Sequence, residues 1–347
     1  MKYHLPISRR SALWGMAVTL PWLLDSLVRG DDSTAPKKEE PSPRTFTYKK
    51  VGDCEIKADV YRLPGDEVRP AIIWIHGGAL IFGHRRMLDA DQRQLYLEAG
   101  YVVVSIDYRL APESKLAAIV EDLQNAHEWV RGTGPELFRI DPDRIVVIGH
   151  SAGAYLALMS GFLKPRPKAL VSFYGYGDIT GSWYTQPSKN HLEEGKEPIT
   201  EKQAYEGIGK VEISESPLGA RRDFYRYCRQ NGLWPKLVAG LGPDKEAEEF
   251  KRFCPVLNIS KEYPPTLLLH GDKDTDVPFA QAQQMADALK RQQVPHRLIR
   301  MENHDHLFDI FAEGLPPKGK PVGLKQNKQV ADAFAAVRAF LKEHAGA

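Results

Sequence analysis

One short motif constrains this chain of 347 residues more than any other feature, namely Gly149-His150-Ser151-Ala152-Gly153. An apolar, β-branched run at 144–148 precedes it, and a helix-forming stretch at 154–159 follows it. A strand that passes into a helix through G-x-S-x-G turns sharply and carries the serine at the apex of the turn. Both glycines are needed because a side chain at either position would collide with the adjoining strand or helix. The motif therefore predicts a strand–turn–helix unit that presents Ser151 as a nucleophile.

A serine hydroxyl is a poor nucleophile near neutral pH, so it needs a base and a carboxylate that orients the base. Downstream, the strand at 266–270 ends in a loop that contains Asp272, Asp274 and Asp276. Only one of the three can hold an imidazole. We predict that Asp274 does so and that Asp272 and Asp276 cap the loop.

The base is predicted after the next strand, at 296–301, where His304 and His306 follow. His306 is favoured because His-Leu-Phe presents its imidazole directly ahead of an apolar anchor. A His-x-His pair is also found in metal sites, but no second cluster with ligand spacing accompanies it. No metal and no cofactor are therefore expected.

Donors for an oxyanion are predicted upstream, where the strand at 71–75 leads into His76-Gly77-Gly78-Ala79. Consecutive small residues allow the backbone to bend so that several N–H groups point at one spot. The expected donors are the amides of Gly78 and Ala79 together with that of Ala152, and Gly77 shapes the turn.

Five blocks in this order resemble the α/β-hydrolase superfamily, and more narrowly the hormone-sensitive-lipase-like carboxylesterases. The blocks are His76–Ala79, Asp107–Glu113, Gly149–Gly153, His270–Pro278 and His306–Phe308. The resemblance covers roughly residues 45–345. It implies an oxyanion hole at Gly77, Gly78 and Ala79 and a triad of Ser151, Asp274 and His306. The family usually has a third glycine where this chain has Ala79, whose methyl group narrows the site.

The order of elements favours an α/β fold with a mostly parallel central sheet and helices on both faces. Two alternating strands at about 45–51 and 54–61 begin it, and further strands are expected near 71, 101, 144, 168, 266 and 296. Apolar residues at helical spacing predict a helix through 116–130 and a closing helix through 330–341. His127 falls within the first of these helices, at the edge of the core.

Between about 177 and 260 the chain has no clear buried strand but many charged and aromatic residues, and we call this stretch the cap segment. So long an insertion in a compact domain is usually functional. We expect a helical cap that lies over Ser151 and lines the substrate pocket. The alternative is a packed subdomain remote from the site. A smaller loop, 314–321, follows the predicted base and is expected to border the cleft.

The charged residues Asp107, Arg109 and Glu113 are interpreted as structural rather than catalytic. They follow the strand at 101–106, and charge-assisted hydrogen bonds are expected to tie this loop together. Glu113 also precedes the serine in the chain, which argues against a place in the triad.

The first 30 residues have the layout of a twin-arginine export signal, with Arg9 and Arg10 followed by an apolar run at 13–24. Pro21 and Asp25 interrupt this run before it reaches the roughly 20 residues of a spanning helix. Export to the periplasm or beyond is expected, with membrane anchoring as the alternative if the signal is not cleaved. Residues 31–44 are predicted to be a flexible tether, and 45–347 the hydrolase domain.

The charge balance argues against nucleic acid or an anionic membrane as a partner. The formal net charge is +2, and residues 1–30 contribute four of the 47 basic and one of the 45 acidic residues. The remaining 43 basic and 44 acidic residues leave no basic surplus. A small ester is the expected partner, and the sequence gives no indication of the oligomeric state.

Together these features predict a serine carboxylesterase that works through an acyl-enzyme. The alternatives on the same fold are an exopeptidase, with Glu193 and Glu194 as weak candidates for binding a free amine, and a polysaccharide acetyl esterase. A non-catalytic binding protein on a hydrolase scaffold is the alternative from another class.

Overall fold

An eight-stranded sheet forms the centre of the computed structural model, which describes residues 42–192, 197–240, 247–309 and 327–346. The strands are β1 (Arg44–Val51), β2 (Cys54–Tyr61), β3 (Arg69–Ile75), β4 (Val102–Ile106), β5 (Ile140–His150), β6 (Ala169–Phe173), β7 (Thr266–Gly271) and β8 (His296–Met301). Their spatial order is β1-β2-β4-β3-β5-β6-β7-β8. β1 pairs antiparallel with β2, and β2 with β4, whereas all other neighbours are parallel. The predicted mostly parallel sheet with an antiparallel start is confirmed.

The helices lie between the strands and in the cap segment. They are α1 (Ala90–Glu98), α2 (Leu116–Phe138), α3 (Ala152–Ser160), α4 (Ser182–Thr185), α5 (Lys189–Leu192), α6 (Glu201–Tyr205), α7 (Leu218–Asn231), α8 (Ala247–Lys251), α9 (Pro255–Asn258), α10 (Ala280–Arg291) and α11 (Lys328–Ala345). A 3-10 turn spans Arg85–Met87, and a short π-helix spans Pro235–Ala239. In the described ranges, no helix has the length and apolar character needed to cross a membrane.

Both faces of the sheet are buried because successive strand residues point to opposite sides. Ile73 packs in a core with residues of α2, α3 and α10, whereas its neighbour Ile72 packs with residues of α1 and α11. This explains why the parallel strands are continuously apolar instead of alternating. His127 is buried within α2, as its spacing predicts.

The sequence places the strands well but some of their ends less well. β5 begins at Ile140, four residues before the expected start, and α2 continues to Phe138. In the described part of the cap segment, short helices alternate with turns and irregular stretches, and one isolated bridge joins Gly83 to Ser216. The predicted export signal, most of the tether and the loop 314–321 lie outside the described residues.

A buried cluster of charged side chains lies next to strands β2 and β4. The guanidinium of Arg85 donates to Asp59 Oδ1 at 2.9 Å and to Asp107 Oδ2 at 2.6 Å. The amide of Arg85 also donates to Asp107 Oδ1 at 2.6 Å. The side chains of Arg85, Asp59 and Asp107 are 9%, 3% and 1% exposed. One cation therefore neutralises two buried carboxylates.

We expect the substitution Arg85→Met to lower the free energy of unfolding by about 3–5 kcal/mol, because it leaves two buried carboxylates without their counter-charge. Urea unfolding followed by circular dichroism measures this change. Arg86→Met is the matched control, since Arg86 is half exposed and its ion pair within the described residues is with Glu215. Its expected cost is about 0–1 kcal/mol. Equal losses in the two variants would contradict a structural role for the buried cluster.

Candidate active site

The turn after β5 holds Ser151 in a strained conformation, with φ 54° and ψ −117°. Non-glycine residues in such backbone regions cluster at functional sites. A Cβ at Gly149 would lie 2.1 Å from the carbonyl of Gly153, and a Cβ at Gly153 would lie 2.2 Å from the carbonyl of Ile75. The predicted need for both glycines is confirmed. The turn places Ser151 at the carboxyl end of β5, in the middle of the sheet.

The structure brings together the three side chains that the motifs single out. His306 Nε2 lies 3.0 Å from Ser151 Oγ, and His306 Nδ1 lies 2.7 Å from Asp274 Oδ2. The parallel strands β5, β7 and β8 end at the same edge of the sheet, so the loops that follow them meet there. Residues more than 150 positions apart thus form one continuous chain of hydrogen bonds.

The Asp274 carboxylate is fully buried and bound on both oxygens. Oδ1 accepts the amides of Asp276 and Val277 at 2.9 and 2.8 Å. Oδ2 faces His306 and also lies 3.1 Å from His270 Nε2. Burial acts to raise the pKa of Asp274, but the charge of His306 and the hydrogen bonds outweigh it and hold the pKa below its ordinary range. Asp274 is therefore an anion.

The neighbouring carboxylates change the proton affinity of His306. Burial alone would lower its pKa, but the charge of Asp274 and its hydrogen bond more than compensate, so the pKa lies above its ordinary value. The ring of Tyr174 packs against the imidazole, with 4.6 Å between ring centroids. With Nδ1–H donating to Asp274, the neutral imidazole has Nε2 available to accept the Ser151 proton.

Other residues proposed for this edge of the sheet have different roles. His304 is turned away, with Nδ1 2.7 Å from the carbonyl of Glu302 and Nε2 2.9 Å from Asn327 Nδ2. Asp272 binds the neighbouring loop after β8, where its Oδ1 accepts the amide of Asn303 at 2.7 Å, rather than an amide of its own loop. The prediction that Asp276 caps the loop is wrong, because Asp274 Oδ1 accepts the loop amides. The carboxylate of Asp276 instead accepts the Tyr225 hydroxyl from α7.

The loop after β3 lies next to Ser151. Its carbonyls have partners within the protein, whereas several of its amides do not. The carbonyl of Gly78 accepts the amides of Ile81 and Phe82, and that of Gly77 lies 2.7 Å from His76 Nδ1. Within the described residues, the amides of Gly78, Ala79 and Ala152 donate to no group of the protein. A Cβ at Gly77 would lie 2.9 Å from the carbonyl of His150, so this glycine allows close approach to the turn. The predicted donor set is therefore free to bind an anion.

Trp234 is a residue of this site that the sequence reading missed. It is fully buried, and its indole Nε1 donates to the carbonyl of Ala79 at 3.0 Å. This bond fixes the peptide of a residue whose φ of 55° lies in the left-handed region. Nothing in the sequence links Trp234 to Ala79, because 155 positions separate them.

The charged residues of the loop after β4 form ion pairs with residues of other elements. Asp107 binds Arg85, and Arg109 binds Asp122 of α2 at 2.8 Å. Glu113 pairs with Arg221 of α7, and both side chains are 2% exposed. The interpretation of these residues as structural agrees with these contacts, which tie the loop to Arg85, α2 and α7.

The cap segment contacts the site through several side chains. Besides Trp234 and Tyr225, Arg229 of α7 donates to the carbonyl of Asp276 at 2.9 Å. A cavity of about 250 Å³ lies between residues 182–190 and the loop at 274–278. Glu193 and Glu194, the weak candidates for binding an amine, lie outside the described residues.

The fold and the family of this chain are clear from comparison with known proteins. An α/β-hydrolase superfamily protein from Enterococcus faecalis covers 87% of this chain and 98% of its own, with 22% identity and a TM-score of 0.65. Esterase 2 of Thermogutta terrifontis, phosphonylated by sarin, covers 89% and 97% with 22% identity and a TM-score of 0.60. The chain has the α/β-hydrolase fold of this superfamily. The BD-FAE family model matches residues 58–289, and the protein belongs to that family.

Curated relatives of similar sequence are much longer proteins. The non-reducing polyketide synthase adrD of Penicillium rubens is 26% identical over 347 aligned positions, which cover 86% of this chain and 14% of that protein. The non-reducing polyketide synthase Preu3 of Preussia isomera is 29% identical, with 80% and 13% covered. The chain thus spans about one seventh of the length of these relatives.

We expect the substitution Asp274→Asn to lower the pKa of His306, because the carboxylate stabilises the protonated imidazole. The measurement is an NMR titration of the histidine ring protons, in which wild-type His306 should titrate above the ordinary value of about 6.5. Asp272→Asn is the control, since this carboxylate binds Arg300 and not His306. An unchanged His306 titration in Asp274→Asn would contradict the electrostatic coupling.

Proposed function

We propose that this protein hydrolyses carboxylic esters through an acyl-enzyme on Ser151. The observation that carries the proposal is the hydrogen-bonded chain from Ser151 through His306 to Asp274, beside three unused amides. His306 takes the Ser151 proton as Oγ attacks the ester carbonyl, and Asp274 stabilises the imidazolium that forms. His306 then protonates the leaving alcohol. Water, activated by the same imidazole, releases the acid.

The amides of Gly78, Ala79 and Ala152 are proposed to bind the oxyanion of the tetrahedral intermediate. The carbonyls of Gly78 and Ala79 accept hydrogen bonds within the protein, and Ala152 begins α3. The three amides are therefore held in place and need no reorganisation as charge develops. Loss of one such donor typically raises the barrier by about 2.7–4 kcal/mol.

Because His306 must be neutral to act as a base, activity should rise with pH through a pKa above the ordinary histidine value.

A second candidate is hydrolysis of an acyl thioester, and it is favoured by the similarity to polyketide synthases. The same attack on a carbonyl releases a thiolate, which needs less protonation than an alkoxide. The two functions separate when oxygen esters and thioesters of the same acyl group are compared. A higher kcat/KM for the thioester would favour this candidate.

We also propose that the cap segment shapes the pocket for the ester and that residues 1–30 direct export. The cap proposal is supported by contacts of Tyr225, Arg229 and Trp234 with loops of the site.

The export proposal rests on the paired arginines and the apolar run of the N-terminal sequence. A fusion of residues 1–44 to a reporter that is active only after export tests it, with Arg9→Lys and Arg10→Lys as the control. Export that persists in the control would contradict the proposed twin-arginine route.

We expect Ser151→Ala to abolish hydrolysis of a short-chain nitrophenyl ester, with kcat falling by about 10⁴-fold or more, since no other group supplies the nucleophile. Steady-state release of nitrophenol measures this. Ser172→Ala is the matched control, because Ser172 is also buried but lies within strand β6 and not in the turn after β5. Wild-type rates in Ser151→Ala would contradict the function, as would inactivity of the wild type toward both esters and thioesters.

A further inference from the structure

Asp276 carries a second carboxylate next to the base, and its position is fixed by the same loop that holds Asp274. Its amide donates to Asp274 Oδ1, and its carbonyl accepts Arg229 Nη2. On the side chain, Oδ1 accepts the Tyr225 hydroxyl, with Arg229 Nη2 at 3.9 Å and His191 Nε2 at 3.7 Å. The carboxylate is thus oriented from three sides.

The other oxygen of Asp276 faces the reactive nitrogen of the base. Oδ2 lies 3.9 Å from His306 Nε2 and accepts no hydrogen bond from the described residues. The side chain is 27% exposed, whereas that of Asp274 is fully buried. Burial works to raise the pKa of Asp276, but Arg229, His306 and His191 lower it below its ordinary value. An ionised acceptor therefore stands beside Nε2.

The distance between these two acceptors suits a single water molecule. Two acceptors that share one water lie about 4–4.5 Å apart when both hydrogen bonds are about 2.8 Å long. The 3.9 Å between Asp276 Oδ2 and His306 Nε2 is slightly below this range, so a bridging water needs only a small widening of the gap. The cavity of about 250 Å³ has Asp276 in its wall, and a water molecule occupies about 30 Å³ in the liquid. Solvent in this cavity can therefore reach the carboxylate of Asp276 from the side of the cap segment.

We propose that Asp276 binds the water that hydrolyses the acyl-enzyme, and so favours water over alcohols as the second nucleophile. This inference rests on the proposed acyl-enzyme mechanism. The water donates one hydrogen to His306 Nε2 and the other to Asp276 Oδ2, and its oxygen attacks the acyl carbonyl. Its first proton passes to Nε2 and then to Ser151 Oγ as the acyl–oxygen bond breaks. Asp276 only accepts a hydrogen bond and keeps its charge.

The preference for water over an alcohol depends on a second O–H hydrogen, which an alcohol lacks. Methanol donates its one O–H to His306, so nothing remains for Asp276 to accept. Loss of the carboxylate should slow attack by water about ten- to hundredfold, the usual effect of one hydrogen bond to a charged group, and leave attack by methanol nearly unchanged. A change in the pKa of His306, or a looser loop, would instead slow both nucleophiles together.

The test uses the full-length protein and nitrophenyl acetate in buffer with added methanol, at a pH above the titration of His306. The acylation rate is read from the first release of nitrophenol, and the ratio of methyl acetate to acetate is measured by gas chromatography. In Asp276→Asn we expect an acylation rate within about threefold of wild type and a product ratio raised about ten- to hundredfold. Tyr225→Phe, which removes only the hydroxyl on Oδ1, should raise the ratio by a smaller factor.

Asp272→Asn is the control in the same loop, and its product ratio should equal that of wild type. An unchanged ratio in both Asp276→Asn and Tyr225→Phe would overturn the role of Asp276, even if overall activity falls. Failure of the wild type to form an acyl-enzyme at all would instead overturn the proposed function. The two failures are therefore distinguishable.

Discussion

The buried carboxylate of Asp274 is the interaction on which the rest of the site depends. Its Oδ2 orients His306, and its Oδ1 accepts the two amides that shape the loop after β7. A buried anion is costly unless charge and hydrogen bonds compensate for lost hydration, and here four donors surround it. Because Asp274 binds Nδ1 of His306, Nε2 of the same ring can meet Ser151. The position of Asp276 follows from the same loop.

The cap segment is bound to the site by polar contacts as well as by packing. Trp234 fixes the carbonyl of Ala79, while Arg221 donates to the carbonyls of Ile81 and Ala111 and pairs with Glu113. Each of these groups is buried, so its hydrogen bonds must be made within the protein. The loop that presents the unused amides is therefore held both by β3 and by the cap segment.

Much of this site can be predicted from the sequence because its signals are local. The glycines around Ser151, the strand ends before Asp274 and His306, and the small residues at Gly78 and Ala79 each follow from nearby chain geometry. The partners that cross between segments cannot be read in this way. Trp234 with Ala79, Glu113 with Arg221 and Asp276 with Tyr225 depend on how the cap segment packs, which no local pattern determines. The assignment of Asp276 as a loop cap failed for that reason.

The central claim is that Ser151 is an activated nucleophile, and covalent capture tests it most directly. The full-length protein is treated with a fluorophosphonate, and the modified peptide is identified by mass spectrometry. The account predicts a single adduct on Ser151, formed at a rate that falls steeply in His306→Ala. Absence of any adduct, or labelling of Ser151 at the same rate without His306, would contradict it.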